Sequence, residues 1–307
     1  MIETALERPL RILHVHAVEE SRGGESQTLA LMENLAKLGH QQTLLTPPGS
    51  ALGAEVCSRG LDAQPLTLPA IVRLSTGFDL VHAHDTRAHS MAAATSRVPV
   101  IASRRVAPIR RGPGFRWKFR RTAHFIAVSH YVEQLLLEAA IGPERTSVVH
   151  DGVPVLAPHD DNASVVLALE QNRILDEAAQ LSGTPIQFSS DLDTDLSSAR
   201  VFLHVVHAES SGFPVLQAMA RGVPVIASRL GALPELIEDG RTGLLTTNEA
   251  QAVASALARV LENPALAAEF SETGRTRAVE RFSMEAMVRG TLAIYRAVLA
   301  PPPSSSS

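Results

Sequence analysis

The sequence predicts an α/β fold of two Rossmann-like domains with a cleft between them, the second domain reduced. Three observations predict it. Short Val/Ile-rich runs alternate with helical stretches through the first half, the pattern of a parallel sheet covered by helices on both faces. The alternation lapses after "HDGVP" (150–154) and resumes near residue 185. A chain of 307 residues is long enough for two hydrophobic cores.

In order, "RILHVHA" (11–17) reads as a strand. A polar loop holding Gly23 and Gly24 follows, then a helix with Leu31, Leu35 and Leu38 on one face, stopped by Gly39. "QTLLT" (42–46), "DLVHA" (79–83), "PVIAS" (99–103), "HFIAVS" (124–129) and "SVVH" (147–150) are further strands, with helices near 51–60, 86–97 and 130–140. Residues 155–184 give weak strand signal and one helix-like stretch, about 164–181. Then come "PIQF" (185–188), "VFLHVV" (201–206), a helix from Pro214, "PVIAS" (224–228) and "TGLL" (242–245). Helices at 248–262 and 264–280 are parted by Asn263-Pro264, and a last helix starts after Ser283. The expected domains are 1–150 and 151–283, with helix 284–300 crossing back to the first and a disordered tail at 301–307, "PPPSSSS" in its last seven residues.

Composition removes several classes. Apolar residues make up 45%, which excludes a disordered chain. The single cysteine, Cys57, leaves no disulfide framework and fits a reducing compartment. No apolar run reaches the roughly 18 residues of a membrane span, and "MIETALERPLR" lacks a signal-peptide core. The expected location is cytoplasmic. A net charge of −4 implies no wholesale nucleic-acid binding, but the charge is uneven. Residues 104–121 hold eight Arg or Lys, no acid, and Phe115, Trp117 and Phe119. Such a run suits the inner face of an anionic membrane; nucleic acid and a solvated loop are its other readings. Residues 157–196 hold eight acids against Arg173 alone.

In "ESSGFPVLQAMARGVPVIAS" (209–228), a polar loop enters a helix at Phe213 and Pro214, proline being favoured at a first helical position. Free N–H groups of such a loop favour an anion at the carboxyl end of the preceding strand. Glu209 stands at that edge, where its carboxylate could face a ligand; the competing reading is an ordinary capped core helix. Gly23 and Gly24 allow close backbone approach to a ligand. His82 and His84 share one strand face. His84, nearer the carboxyl end, is the candidate acid–base or hydrogen-bonding group, against the alternative of a structural histidine. Arg104 and Arg105 follow a strand and could face an anion. "DLDTD" (191–195) has metal-binding spacing but reads as a solvated loop.

These pieces, in this order, resemble family 4 glycosyltransferases, retaining enzymes of the GT-B fold. "RILHVHAVEESRGGESQTLALMENLAKLGHQQTLLT" looks like the family's opening strand, glycine loop and first helix. "FDLVHAHDTRAHSMAAA" and "AHFIAVSHYVEQLLLEAAIGPERTSVVHDGV" look like its later acceptor domain. "ARVFLHVVHAESSGFPVLQAMARGVPVIASRLGALPELIEDGRTGLL" is similar to its donor block. The resemblance implies sugar transfer from a nucleotide-sugar to a cell-envelope glycolipid or polysaccharide, with no metal and no protein nucleophile. Glu209 and His84 would be catalytic. Gly23, Gly24, Ser211, Gly212, Phe213, Pro214, Val215 and Gln217 would hold the donor, and Arg104 and Arg105 would serve the acceptor or phosphate side.

Two departures stand out. Gln217 occupies the place of the family's second glutamate; an amide still bonds hydroxyls. The Gly-Arg-Leu turn and lysine that hold the donor diphosphate have no counterpart after Val153, and no lysine follows Lys118. The interval before "DLSSARVFLHVV" is short by roughly two βα units of about 15 residues each. The alternative function is therefore a non-catalytic, reduced relative with a binding role.

Overall fold

The computed structural model describes residues 8–18, 22–105, 113–158 and 163–301. They form two compact units. One comprises the described parts of Met1–Val128, Val132–Val149 and Met287–Ser307, the other Ser129–Tyr131 and His150–Ala286.

The first unit runs β1 (Arg11–Val15), α1 (Arg22–Lys37), β2 (Gln41–Thr46), α2 (Ala51–Ser58), β3 (Asp62–Pro65), α3 (Leu68–Ser75), β4 (Leu80–Ala83), α4 (Thr86–Thr95), β5 (Val100–Arg104), α5 (Pro113–Arg120), β6 (His124–Ala127), α6 (His130–Glu138) and β7 (Thr146–Val148). Its strands pair in parallel in the order β3-β2-β1-β4-β5-β6-β7. The direction of winding reverses between β1 and β4, the switch point at whose strand ends open α/β sheets bind ligands. Leu13, Val15, Val81 and Ala83 face one way, into a core with Ile71 of α3 and Ala88 and Ala92 of α4.

The second unit runs β8 (Val165–Ala168), α7 (Arg173–Ser182), β9 (Ile186–Phe188), α8 (Leu192–Asp195), β10 (Ala199–His204), α9 (Phe213–Ala220), β11 (Val225–Ser228), α10 (Leu233–Leu236), β12 (Leu244–Thr246), α11 (Ala250–Leu261) and α12 (Pro264–Arg281). Its parallel sheet, β12-β11-β10-β8-β9, has five strands against seven and reverses between β8 and β10. Phe202 and Leu167 pack on one face with Val215, Leu216 and Met219 of α9. Val201, Leu203 and Ile226 pack on the other with Leu257 and Phe270. Asn172 and Asn263 cap α7 and α12, accepting from Leu175 N at 3.0 Å and Leu266 N at 3.1 Å, a bond worth about 1 kcal/mol each. The last helix, α13 (Met284–Leu299), begins in this unit, and from Met287 onward its residues group with the first.

Four expectations need correction. The helix-like stretch 164–181 is a strand followed by a helix: Val166, Leu167 and Ala168 are a fully buried central run, which periodicity cannot tell from a buried helix. The basic run 104–121 is not one loop. Arg104 ends β5, and Pro113–Arg120 is helical; residues 106–112 lie outside the described residues, as does the expected disordered tail from 302 on. The acidic 191–195 run is a short helical turn rather than a loop. Gly23 and Gly24 lie in the first turn of α1, not in a loop before it.

Candidate active site

At the switch point of the first sheet, strand alternation brings four histidines to one face. His14 pairs in register with His82, and His16 and His84 each lie two residues further along. All four are buried. Asp85 fixes the strand ends: Oδ2 accepts from Ala17 N at 2.6 Å, and Oδ1 caps α4 by accepting from Arg87 N and Ala88 N at 2.8 Å. His16, Gly24, His84, Thr86, Arg104 and Arg105 line a cavity of about 160 Å³ there.

Each ring is held by hydrogen bonds. His14 Nδ1 lies 2.9 Å from His84 Nε2, and His14 Nε2 lies 3.0 Å from Gln42 Oε1. His82 bridges Tyr295 Oη (2.6 Å) and Ser103 Oγ (2.8 Å); His16 Nδ1 lies 3.2 Å from Thr28 Oγ1. Burial lowers His14 to about 4 despite its bond to Gln42. Burial, neighbouring imidazoles and Arg105 hold His84 well below the usual 6.5, and burial, His14 and Arg105 do the same to His82. These three rings are neutral at pH 7. Among the described residues, His14, His82 and His84 are the group whose ligand atoms come within 4.8 Å of one another. Binding a metal there would break the hydrogen bonds just described. Arg104 is buried, donates to Thr86 Oγ1 at 2.9 Å, and is lowered by burial against the raising effect of Asp85.

At the switch point of the second sheet a cavity of about 400 Å³ is lined by Glu170 and Asn172 after β8, by His204 to Glu209 after β10, and by Pro214. Glu209 organises the loop. Its Oε2 accepts from His204 Nε2 at 2.8 Å, and its Oε1 accepts from the N–H groups of Ser210, Ser211 and Gly212 at 2.9, 3.1 and 3.0 Å. Burial would raise this carboxyl, but the bonds to His204, Gly212 and Ser211 and the His204 charge hold it at about 2.

The predicted residues therefore separate. Gly24, His84, Arg104 and Arg105 share one cavity; Gly23 is exposed beside them, with open space where a Cβ would stand. Glu209 and Pro214 line the other. The loop amides expected to be free for an anion are taken by the Glu209 carboxylate. Gln217 is likewise engaged, its amide donating to Asp193 Oδ1 at 2.8 Å. Val215 is fully buried, and Phe213, half-buried, packs on the same core. Of the basic-aromatic run, Lys118 and Phe119 are buried and Trp117 is 47% exposed. Sequence reasoning passed over His14, His16, Gln42, Asp85 and His204. The signal for the first two was "HVH" beside "HAH", one alternation repeated on neighbouring strands.

Two family models match, "Glycosyltransferase Family 4" over residues 21–155 and "Glycosyl transferases group 1" over 170–277. The chain belongs to the family 4 glycosyltransferases. Within that family it is 31% identical over 150 residues to the MMP α-(1→4)-mannosyltransferase of Mycolicibacterium hassiacum, 48% of this chain and 35% of that protein. It is 39% identical over 112 residues to the α-maltose-1-phosphate synthase of Mycolicibacterium smegmatis, 34% of this chain and 29% of that one. The chain thus spans about a third of the length of these curated relatives. In fold it is similar to HepE of Anabaena, solved with UDP and glucose, at a TM-score of 0.82 and 17% identity over 94% of this chain and all of that one. Two parallel sheets with alternating helices are the Rossmann-like units of the GT-B architecture.

Proposed function

We propose that this chain is a retaining glycosyltransferase that moves a sugar from a nucleotide-sugar to a cell-envelope glycolipid or polysaccharide. One observation carries the reading: a cavity of about 400 Å³ opens at the strand-order reversal of the second sheet, with Glu209 held ionised at its wall. That is where open α/β sheets take nucleotides, and the volume suits a small ligand. The relatives' names, a mannosyltransferase and a maltose-1-phosphate synthase, and the UDP bound by HepE, support a nucleotide-sugar donor.

In this reading Glu209 is the donor-side carboxylate. It acts partly by ordering the 210–212 loop and partly through a negative field that favours cationic character at the anomeric carbon. Gly212, Pro214 and the backbone of Ser211, Phe213 and Val215 shape the donor wall. Gln217 reaches a donor hydroxyl only by giving up Asp193. Gly23, Gly24 and His84 serve the other reactant, and Arg104 and Arg105 serve its anionic group or a phosphate. No metal enters the scheme. Membrane contact falls to exposed Arg116, Trp117 and Arg120; no helix among the described residues is long and apolar enough to cross a membrane.

A second reading, a non-catalytic relative with a binding role, is favoured by the occupied loop amides and by the absence of Arg and Lys from that cavity's lining. Calorimetric titration with UDP, GDP, ADP and their sugar conjugates decides between them. Binding of one nucleotide, lost in Ala208→Trp, which fills the cavity from an exposed position, supports the enzyme. No binding at millimolar ligand by the folded protein supports the second reading.

A further inference from the structure

His84 is the histidine whose chemistry the first unit constrains most tightly, and the constraint can be followed atom by atom. The amide nitrogen of Gln42 donates to the carbonyl of Met32 at 2.8 Å. A carbonyl only accepts, so Gln42 must present its oxygen, not its nitrogen, to His14. An amide oxygen also only accepts. His14 Nε2, 3.0 Å away, therefore carries the proton. A neutral imidazole has one N–H and one bare nitrogen, so His14 Nδ1 is an acceptor. The atom 2.9 Å from it, His84 Nε2, must donate. The remaining nitrogen of neutral His84, Nδ1, is left as a lone pair, and it is buried without a hydrogen-bond partner among the described residues.

His16 reaches the same state by a separate route. The hydroxyl of Thr28 spends its proton on the carbonyl of Gly24 at 2.9 Å, so it accepts from His16 Nδ1. That leaves His16 Nε2 bare in the neutral ring, with no partner at hydrogen-bond geometry among the described residues, although the backbone of Val18 and the charge of Asp85 both favour a proton on this ring. Both rings line the cavity of about 160 Å³ that Arg104 and Arg105 also line. Buried polar atoms of native proteins nearly always find a partner, and an orphan calls for an explanation. The orphan acceptor of His84 has a simple one: the occupant of the cavity brings the hydrogen.

We propose that Gln42 and His14 are positioning residues that lock His84 as its Nε2–H tautomer, keeping Nδ1 as a hydrogen-bond acceptor for a hydroxyl-bearing ligand. A hydroxyl that donates to His84 Nδ1, on a ligand whose anionic group faces the arginines, fits this cavity. The identity of the ligand as a sugar or its acceptor rests on the glycosyltransferase reading; the tautomer does not. The groups facing His84 are His14 and His16 beside it, His82 and Asp85 on its own strand and its extension, and Arg105 after β5.

The test is a long-range ¹H–¹⁵N correlation spectrum of the ¹⁵N-labelled full chain at pH 7.5, with the His84 signals assigned by their loss in His84→Asn. The expected wild-type pattern is a protonated Nε2 and a bare Nδ1. Gln42→Met removes the acceptor at similar volume, frees His14 to reverse, and should give a population of His84 protonated on Nδ1. Gln42→Glu still accepts from His14 and should restore the wild-type pattern. A wild-type His84 carrying its proton on Nδ1, or an average of both forms, overturns the proposal. So does an unchanged His84 in folded Gln42→Met; if that variant does not fold, the wild-type and Gln42→Glu spectra decide. In a transfer assay, Gln42→Met should lower kcat/KM about tenfold with rescue by Gln42→Glu. A protein that binds no nucleotide yet shows the expected spectra would refute the enzyme reading and leave the tautomer lock standing.

Discussion

The carboxylate of Glu209 joins the His204 ring, 2.8 Å from its Oε2, to the three backbone amides that precede α9. One side chain thus sets both the strand end and the loop. Glu209→Ala leaves those amides and His204 without their acceptor, and unpaired buried groups cost about 1–3 kcal/mol each. The expected result is a loss of about 2–4 kcal/mol in denaturant unfolding together with loss of nucleotide binding. Glu209→Gln keeps an acceptor for the loop but not the charge. It should retain most of the stability and lose donor affinity, so calorimetry on the two variants separates the scaffold role from the electrostatic one.

The buried histidines make the first unit sensitive to acid. Burial lowers His14 to about 4 and, with Lys118 and Arg104, His89 to about 3; it holds His82 and His84 well below 6.5. Below pH 6.5 the unfolded chain takes up protons that the folded one refuses. Stability is therefore fully present above pH 6.5 and falls as pH drops toward 4, each unmatched proton contributing about 1.4 kcal/mol per pH unit. Glu209 adds its own loss only lower, between its ordinary 4.5 and about 2. Urea midpoints at pH 7.5, 6.5, 5.5 and 4.5 should be level across the first two and drop steeply across the last two. A flat profile would mean that these rings are charged in the folded protein.

How much of this was legible beforehand depends on what each residue's role requires. The strands of "RILHVHA", "DLVHA" and "PVIAS" announce themselves because central parallel strands are continuous apolar runs. β3, Asp62–Pro65, does not: it is a half-exposed edge strand with no apolar pattern. β8 was hidden by being four residues long and close to a helix. For the site, "HAHD" and the arginine pair at the end of β5 pointed to one cavity because each lies at a strand's carboxyl end. Local sequence could not reveal that Glu209 turns back on its own loop, or that Gln42 on β2 governs His84 two strands away. Those relations depend on side-chain direction and on which atoms donate.

Two glycines flank that loop for reasons of space. Gly231 has φ +56°, and a Cβ there would stand 2.0 Å from the Glu209 carbonyl oxygen, which also accepts from Ala232 N at 3.1 Å. Gly212 has φ +68°, and its Cβ would meet Leu236 Cδ1 at 2.4 Å. Gly231→Ala must move backbone, not a flexible side-chain end, and should cost more than about 1 kcal/mol while weakening nucleotide binding. Gly212→Ala meets only the side-chain ends of Leu236 and Leu233 and should cost less. Thermal melts of the pair check the order, and the reverse order would place the loop differently.

Tyr295 offers a cleaner probe of the histidine layer, because a single atom can be removed. It is fully buried on α13, its hydroxyl lies 2.6 Å from His82 Nδ1, and burial raises it well above its usual 10. It is neutral and available as either donor or acceptor at any working pH. Tyr295→Phe removes the hydroxyl and leaves the ring, so packing is kept while His82 Nδ1 loses its partner. The cost should be about 1–3 kcal/mol, the range for an unsatisfied buried group. His82 then has only Ser103 to bond and should settle in the tautomer that this hydroxyl favours, visible in the same ¹⁵N spectra. His84, governed from the other side by His14, should keep its proton on Nε2. A shift of His84 in Tyr295→Phe would mean that the four rings titrate as one network, with Gln42 as only one of its anchors.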